Sequence, residues 1–172
     1  LYGAQFEQAN SVGYNGEYPT SYIPTEGTIK TRNRDLCING GDVSLINSSE
    51  GVLYAEISAL DVDSLGRYIT ITDGVVNSNG IRIYYQNAPN VYFQKYVNSV
   101  RTTNIFTSSI VKTDFNKIAI RYNSTEVSVF VNGVNILNNA DTNVIAPNTL
   151  NKLSFYNVSN SPFFGNTKAL AV

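Results

Sequence analysis

The stretch Gly80-Ile-Arg-Ile-Tyr-Tyr-Gln86, Asn87-Ala-Pro-Asn90, Val91-Tyr-Phe-Gln-Lys-Tyr-Val97 reads as two alternating segments around a loop. Successive side chains of an extended chain point to opposite faces. Ile81, Ile83 and Tyr85 therefore share one face, and Arg82, Tyr84 and Gln86 share the other. In the second segment Val91, Phe93, Lys95 and Val97 stand opposite Tyr92, Gln94 and Tyr96. Asn, Ala and Pro between the segments are turn chemistry, so the segments are expected to pair as neighbouring strands. Pairing would gather Arg82, Tyr84, Gln86, Tyr92, Gln94 and Tyr96 into one patch.

That patch has three readings on residue type alone. Tyrosine rings stack on sugar rings while Gln and Arg hydrogen-bond hydroxyls, which suits glycan recognition. Tyr and Arg are also enriched at subunit interfaces. Finally, the face could meet a second sheet, with its tyrosine hydroxyls reaching the rim.

The same alternation recurs on both sides. Gly51-Val-Leu-Tyr-Ala-Glu-Ile-Ser58 is apolar in part on both faces, as a central strand would be. Arg67-Tyr-Ile-Thr-Ile-Thr72 stops at the turn pair Asp73-Gly74. Lys117-Ile-Ala-Ile-Arg-Tyr122 and Glu126-Val-Ser-Val-Phe-Val131 form a hairpin over Asn123-Ser-Thr125, and Asn132-Gly133 turns into Val134-Asn-Ile-Leu137. Leu150-Asn-Lys-Leu-Ser-Phe-Tyr156 is expected as a late strand, and Lys168-Ala-Leu-Ala-Val172 as a last one cut at its end. Helical spacing of apolar residues is not found over any segment of useful length. Short strands, close turns and no helices predict an all-β sandwich or barrel.

Composition narrows the function classes. Apolar residues make up 42% of the 172, enough for a packed core. Lys plus Arg is 12 against 13 for Asp plus Glu, which gives no basic surface for nucleic acid or an anionic membrane. No apolar run approaches the roughly 20 residues of a spanning helix, so membrane insertion is not expected. No basic-then-apolar pattern opens the sequence and it contains no Met, so it reads as an internal piece of a longer protein. Cys37, between Leu36 and Ile38, is expected as a buried small hydrophobe.

The sequence contains no histidine, which excludes Ser-His-Asp and Cys-His nucleophile systems. Carboxylate pairs remain. Glu56, Asp61 and Asp63 form the nearest cluster, yet Glu56 stands alone in its strand, so no catalytic residue is assigned. Asp61 and Asp63 could ligate calcium with backbone carbonyls, though solvated loop carboxylates are the simpler reading and no metal site is assigned. Asp42 and Asp73, each beside Gly, read as turn residues, and the sequons at Asn47, Asn123 and Asn157 carry little weight in so Asn- and Ser-rich a chain.

Gly3-Ala-Gln-Phe-Glu7, Tyr18-Pro-Thr-Ser-Tyr-Ile-Pro-Thr25 and Thr31-Arg-Asn-Arg-Asp35 together resemble a junction in bacteriophage tail and virion structural proteins. There a terminal strand of an upstream unit is followed by a linker into the next domain. Gly51-Val-Leu-Tyr-Ala-Glu56, Asn116-Lys-Ile-Ala-Ile-Arg-Tyr122, Val129-Phe-Val-Asn-Gly133 and Phe164-Gly-Asn-Thr-Lys-Ala-Leu-Ala-Val172 are similar to a concanavalin A-like, laminin-G-like domain. The resemblance implies a two-sheet antiparallel jelly-roll sandwich over residues 27–172, truncated at its C-terminus, behind the end of an upstream unit and linker over residues 1–26. Its glucanase branch carries Glu-x-Asp-x-x-Glu on one strand, a pattern this chain lacks. The implied role is that of a virion or otherwise extracellular domain binding host-surface polysaccharide. Its partners would be other virion proteins and further copies of itself. A purely structural virion role is the alternative, and a polysaccharide-degrading enzyme comes third.

Overall fold

Strand alternation becomes two sheets in the computed structural model, which describes residues 27–28, 37, 39–59, 66–86, 90–157, 161–163 and 165–172. The strands are β1 (Gly51–Ala59), β2 (Arg67–Thr72), β3 (Gly80–Tyr85), β4 (Val91–Val97), β5 (Val100–Thr107) and β6 (Asn116–Tyr122). They continue as β7 (Glu126–Val131), β8 (Val134–Ala140), β9 (Lys152–Ser154), β10 (Tyr156–Asn157), β11 (Ser161–Pro162) and β12 (Gly165–Ala171). One sheet has five strands in the order β12-β1-β6-β7-β8; the other has seven, β10-β11-β2-β3-β4-β5 with β9 also paired to β2. All pairings are antiparallel except the single parallel pair of Pro162 with Tyr68. Among the described residues no helix is long and apolar enough to cross a membrane. The upstream unit expected over residues 1–26, and Asp61 and Asp63, lie outside the described residues.

The core sits between the inward faces of the two sheets. Leu53, Ala55 and Ile57 of β1, Ile118 and Ile120 of β6, and Val127, Val129 and Val131 of β7 come from one side. Ile69, Ile71, Ile81, Ile83, Tyr85, Val91, Phe93 and Ile105 come from the other. Ile46, Ile145 and Leu150 pack into the same cluster from connecting segments. Period two puts the apolar set inward on every one of these strands, so a one-residue slip would expose all of it.

Local chemistry sets the turns. Asn132 and Gly133 both have positive φ, at 51° and 83°, as a two-residue type I′ hairpin requires. Asn98 and Ser99, at 49° and 67°, make the same turn between β4 and β5. Serine carries a Cβ that glycine lacks in this left-handed region. Ser99→Gly is therefore expected to stabilise the fold by about 0.5–1 kcal/mol in urea unfolding, since the Ser99 N–H to Ser78 O bond (2.9 Å) is kept. The Asn-x-Ser/Thr patterns have a turn explanation too. Asn47 Oδ1 accepts from Ser49 N–H at 3.0 Å, and Asn123 Oδ1 from Thr125 N–H at 2.8 Å. Asp42 and Asp73 take the expected turn roles, accepting from Ser44 N–H and Val75 N–H.

Three expectations change. Cys37 is exposed, not buried; apolar neighbours in sequence say nothing about the face between them. Leu150–Tyr156 is not one strand. It breaks at Phe155, whose N–H donates to Cys37 O and whose carbonyl accepts from Phe163 N–H, both at 2.8 Å. Val100–Thr107, which the alternation passes over, is an edge strand of eight residues.

Candidate functional site

Strands β3 and β4 pair with Tyr84 opposite Tyr92 and Arg82 opposite Gln94, as the sequence pattern requires. Their outward face extends in register over β2 and β5. Tyr68 stands opposite Tyr84, and Phe106 opposite Tyr92, so four aromatic side chains cross four strands in one row. Tyr68 and Tyr84 stack at 4.8 Å between ring centroids, and Tyr84 and Tyr92 stack at the same spacing. Tyr92 and Phe106 lie at 5.6 Å and are tilted. Lateral stacking buries Tyr84 although it lies outside the inter-sheet core cluster. Burial, then the neighbouring Tyr68 and Tyr92, push its hydroxyl pKa up to about 12. Phe106, at the edge strand, keeps 60% of its surface exposed.

A polar row runs beside the aromatic one: Thr70, Arg82, Gln94 and Asn104 are successive register partners. Gln94 Nε2 donates to Asn104 Oδ1 at 2.8 Å. Arg82 is only 2% exposed. Its Nη1 donates to Asn77 Oδ1 at 2.6 Å, and the Tyr96 ring covers the guanidinium with its centroid 4.3 Å from Cζ. Burial pushes the guanidinium pKa down, opposed by Tyr96, Tyr68, Tyr84 and Asp73 nearby.

The third row holds Thr72, Gly80, Tyr96 and the exposed Arg101. Gly80 is a close approach: a Cβ there would come within 2.8 Å of Ile71 O. Gln86 closes the opposite end of the patch, accepting from the Tyr84 hydroxyl at 3.2 Å. All of Arg82, Tyr84, Gln86, Tyr92, Gln94 and Tyr96 thus lie on the outward face of the seven-stranded sheet. Tyr68, Phe106 and Asn104 join them. Tyr68 was legible from the alternation of Arg67–Thr72. Phe106 and Asn104 were not, because β5 carries a polar run and a bulge against Lys95 and Tyr96 that breaks the period.

The inward face of the same sheet carries a charge. Lys95, 1% exposed, lies with its Nζ 3.5 Å from Asp141 Oδ2. The β4–β5 bulge lets the consecutive Thr102 and Thr103 both donate to that oxygen, at 2.7 and 2.6 Å. Asn143 N–H and Nδ2 donate to Oδ1 at 3.0 and 2.9 Å. Burial alone would raise the Asp141 pKa, but the donors Thr103, Thr102 and Asn143 outweigh it and hold the carboxyl at about 2. Among the described residues no group of three His, Cys, Asp or Glu side chains is placed to hold a metal ion.

Two sheets, this strand order and an outward face of aromatic and polar rows define a concanavalin A-like jelly roll, the fold of glucanases and lectin-like modules. No family model and no curated protein matches the sequence. A prokaryotic beta-1,3-1,4-glucanase (lichenase) from a mouse hindgut metagenome superposes with a TM-score of 0.51 at 14% identity, over 63% of this chain and 54% of its own. The Bacillus licheniformis beta-glucanase gives 0.51 at 15% identity, over 63% and 53%. The CBM40 of the Ruminococcus gnavus IT-sialidase gives 0.53 at 12% identity, over 70% and 72%. The chain spans about half the length of the glucanases it matches. At these identities the likeness is one of fold.

Proposed function

We propose that the outward face of the seven-stranded sheet binds carbohydrate without cleaving it. The observation that carries this reading is the aromatic row Tyr68-Tyr84-Tyr92-Phe106 beside the polar row Arg82-Gln94-Asn104. The exposed Phe106 ring at the end of the row offers an apolar surface to the C–H side of a sugar, and the exposed Asn104 and Arg101 beside it offer groups for its hydroxyls. Structural neighbours that include glucanases and a sialidase CBM40 support it through fold. Strands β2 to β5 contain no Asp or Glu. Glu56 stands on the other sheet, 3.8 Å from Lys168 Nζ. Glycoside hydrolysis uses two carboxylates about 5–9.5 Å apart across the scissile bond, so their lack in these strands favours binding over catalysis.

The finer reading is a phage tail or virion domain that docks on host-surface polysaccharide through many weak contacts. It rests on the resemblance of residues 3–35. A multivalent display of the folded chain on a glycan array is expected to retain a set of surface polysaccharides, with no release of reducing ends. Absence of binding by folded, multivalent protein would sink the reading, and released reducing ends would remove its non-catalytic half.

A further inference from the structure

We infer that Arg82 is a carboxylate reader, so the carbohydrate bound on this face is an acidic one; the inference rests on the carbohydrate reading above. Of the three guanidinium nitrogens, Nη1 is committed to Asn77 Oδ1. Nε and Nη2 are buried and have no hydrogen-bond partner. These two atoms are adjacent on one edge of the guanidinium. Their N–H bonds point the same way and form the side-on fork that matches both oxygens of a carboxylate. The two unpaired donors thus have a defined complement.

The charge is only partly answered locally, by Asp73 acting without a hydrogen bond to Nε or Nη2. Strands β2 to β5 hold no carboxylate. Asp73, the nearest acidic group at the β2–β3 turn, has Oδ1 accepting from Val75 N–H at 2.9 Å and Oδ2 from Asn79 Nδ2 at 3.0 Å. Arg101, exposed and opposite Tyr96, adds a second cation to the same end of the face. A ligand carboxylate would supply the acceptors that the buried guanidinium lacks.

Tyr96 is one cover of the guanidinium. Its ring lies over the guanidinium, and its hydroxyl donates to Gln94 Oε1 across a long 3.5 Å. Rotation of this half-buried side chain would uncover the guanidinium beside Tyr84, in the middle of the aromatic row. The sugar ring would then lie along the outer edges of Tyr84 and Tyr92 while its carboxylate reaches Arg82.

The test uses the full chain and a glycan array on which each carboxylate-bearing oligosaccharide is printed beside its methyl ester and a sulfated neutral counterpart. At least one free acid is expected to bind at least tenfold tighter than its ester. Arg82→Lys is expected to erase that difference, because an ammonium has no fork. The ester comparison needs no variant, so it stands even if Arg82→Lys unfolds. Equal binding of acid and ester overturns the carboxylate reader and leaves carbohydrate binding intact. Preference for the sulfated form overturns it as well. No retention of any glycan overturns both readings together.

Discussion

Asp141→Ala is expected to lower the unfolding free energy by about 3–5 kcal/mol, read as a large drop in the urea midpoint at unchanged slope. The carboxylate accepts from Thr102, Thr103 and Asn143, and its own N–H donates to Thr125 O at 3.0 Å. Those groups belong to the edge strand β5 of one sheet and to the β6–β7 hairpin and the segment leaving edge strand β8 of the other. Alanine would leave the buried Lys95 ammonium and two threonine hydroxyls without this acceptor. Lys95→Met is expected to cost far less, about 1 kcal/mol, because it removes the charge and leaves Asp141 its hydrogen bonds. Equal losses from the two variants would count against this division.

The same carboxylate sets an acid limit. Its folded pKa of about 2 lies below the ordinary 3.8. A depressed folded value means stability that is fully present above the unfolded pKa and fades as pH falls from about 4 to about 2. The shift corresponds to about 2 kcal/mol. Asp141→Asn should flatten the stability profile in that window while leaving the profile above it parallel to that of the parent chain. An unchanged slope between pH 4 and 2 would assign the acid limit elsewhere.

Period two and turn chemistry made much of this legible. Gly80–Val97 alone placed Arg82, Tyr84, Gln86, Tyr92, Gln94 and Tyr96 on one face, because both strands alternate and the intervening loop fixes their order. The inward position of Lys95 was legible as well, but its partner was not. Asp141 lies 46 positions further along a chain whose strands pair across sheets, and no local pattern links the two. A lysine on an apolar strand face only signals that some carboxylate must meet it. Strand β5 escaped notice for a related reason. The bulge that brings Thr102 and Thr103 onto one oxygen also destroys the alternation that reveals a strand. The vacant fork of Arg82 is a property of atoms, visible only once Nη1 has been assigned to Asn77.

Phe106→Ala is expected to weaken glycan retention about 100-fold on a bivalent display while leaving the unfolding midpoint nearly unchanged. Phe106 is 60% exposed at an edge strand, so its removal leaves no core cavity. Stacking a sugar on that ring stabilises a single site by about 1–1.5 kcal/mol, roughly tenfold in affinity. When two sites engage one polysaccharide, the loss enters once for each, and the factors multiply. Tyr92→Ala should show a similar loss, with added destabilisation because Tyr92 stacks against buried Tyr84. Val134→Ala, on the exposed edge strand β8 of the other sheet, is the matched control and should leave retention as it was. The monovalent and bivalent losses must therefore differ, about tenfold against about 100-fold. Equal factors would mean that only one site engages the polysaccharide at a time. An undiminished signal from Phe106→Ala would place the sugar outside the aromatic row.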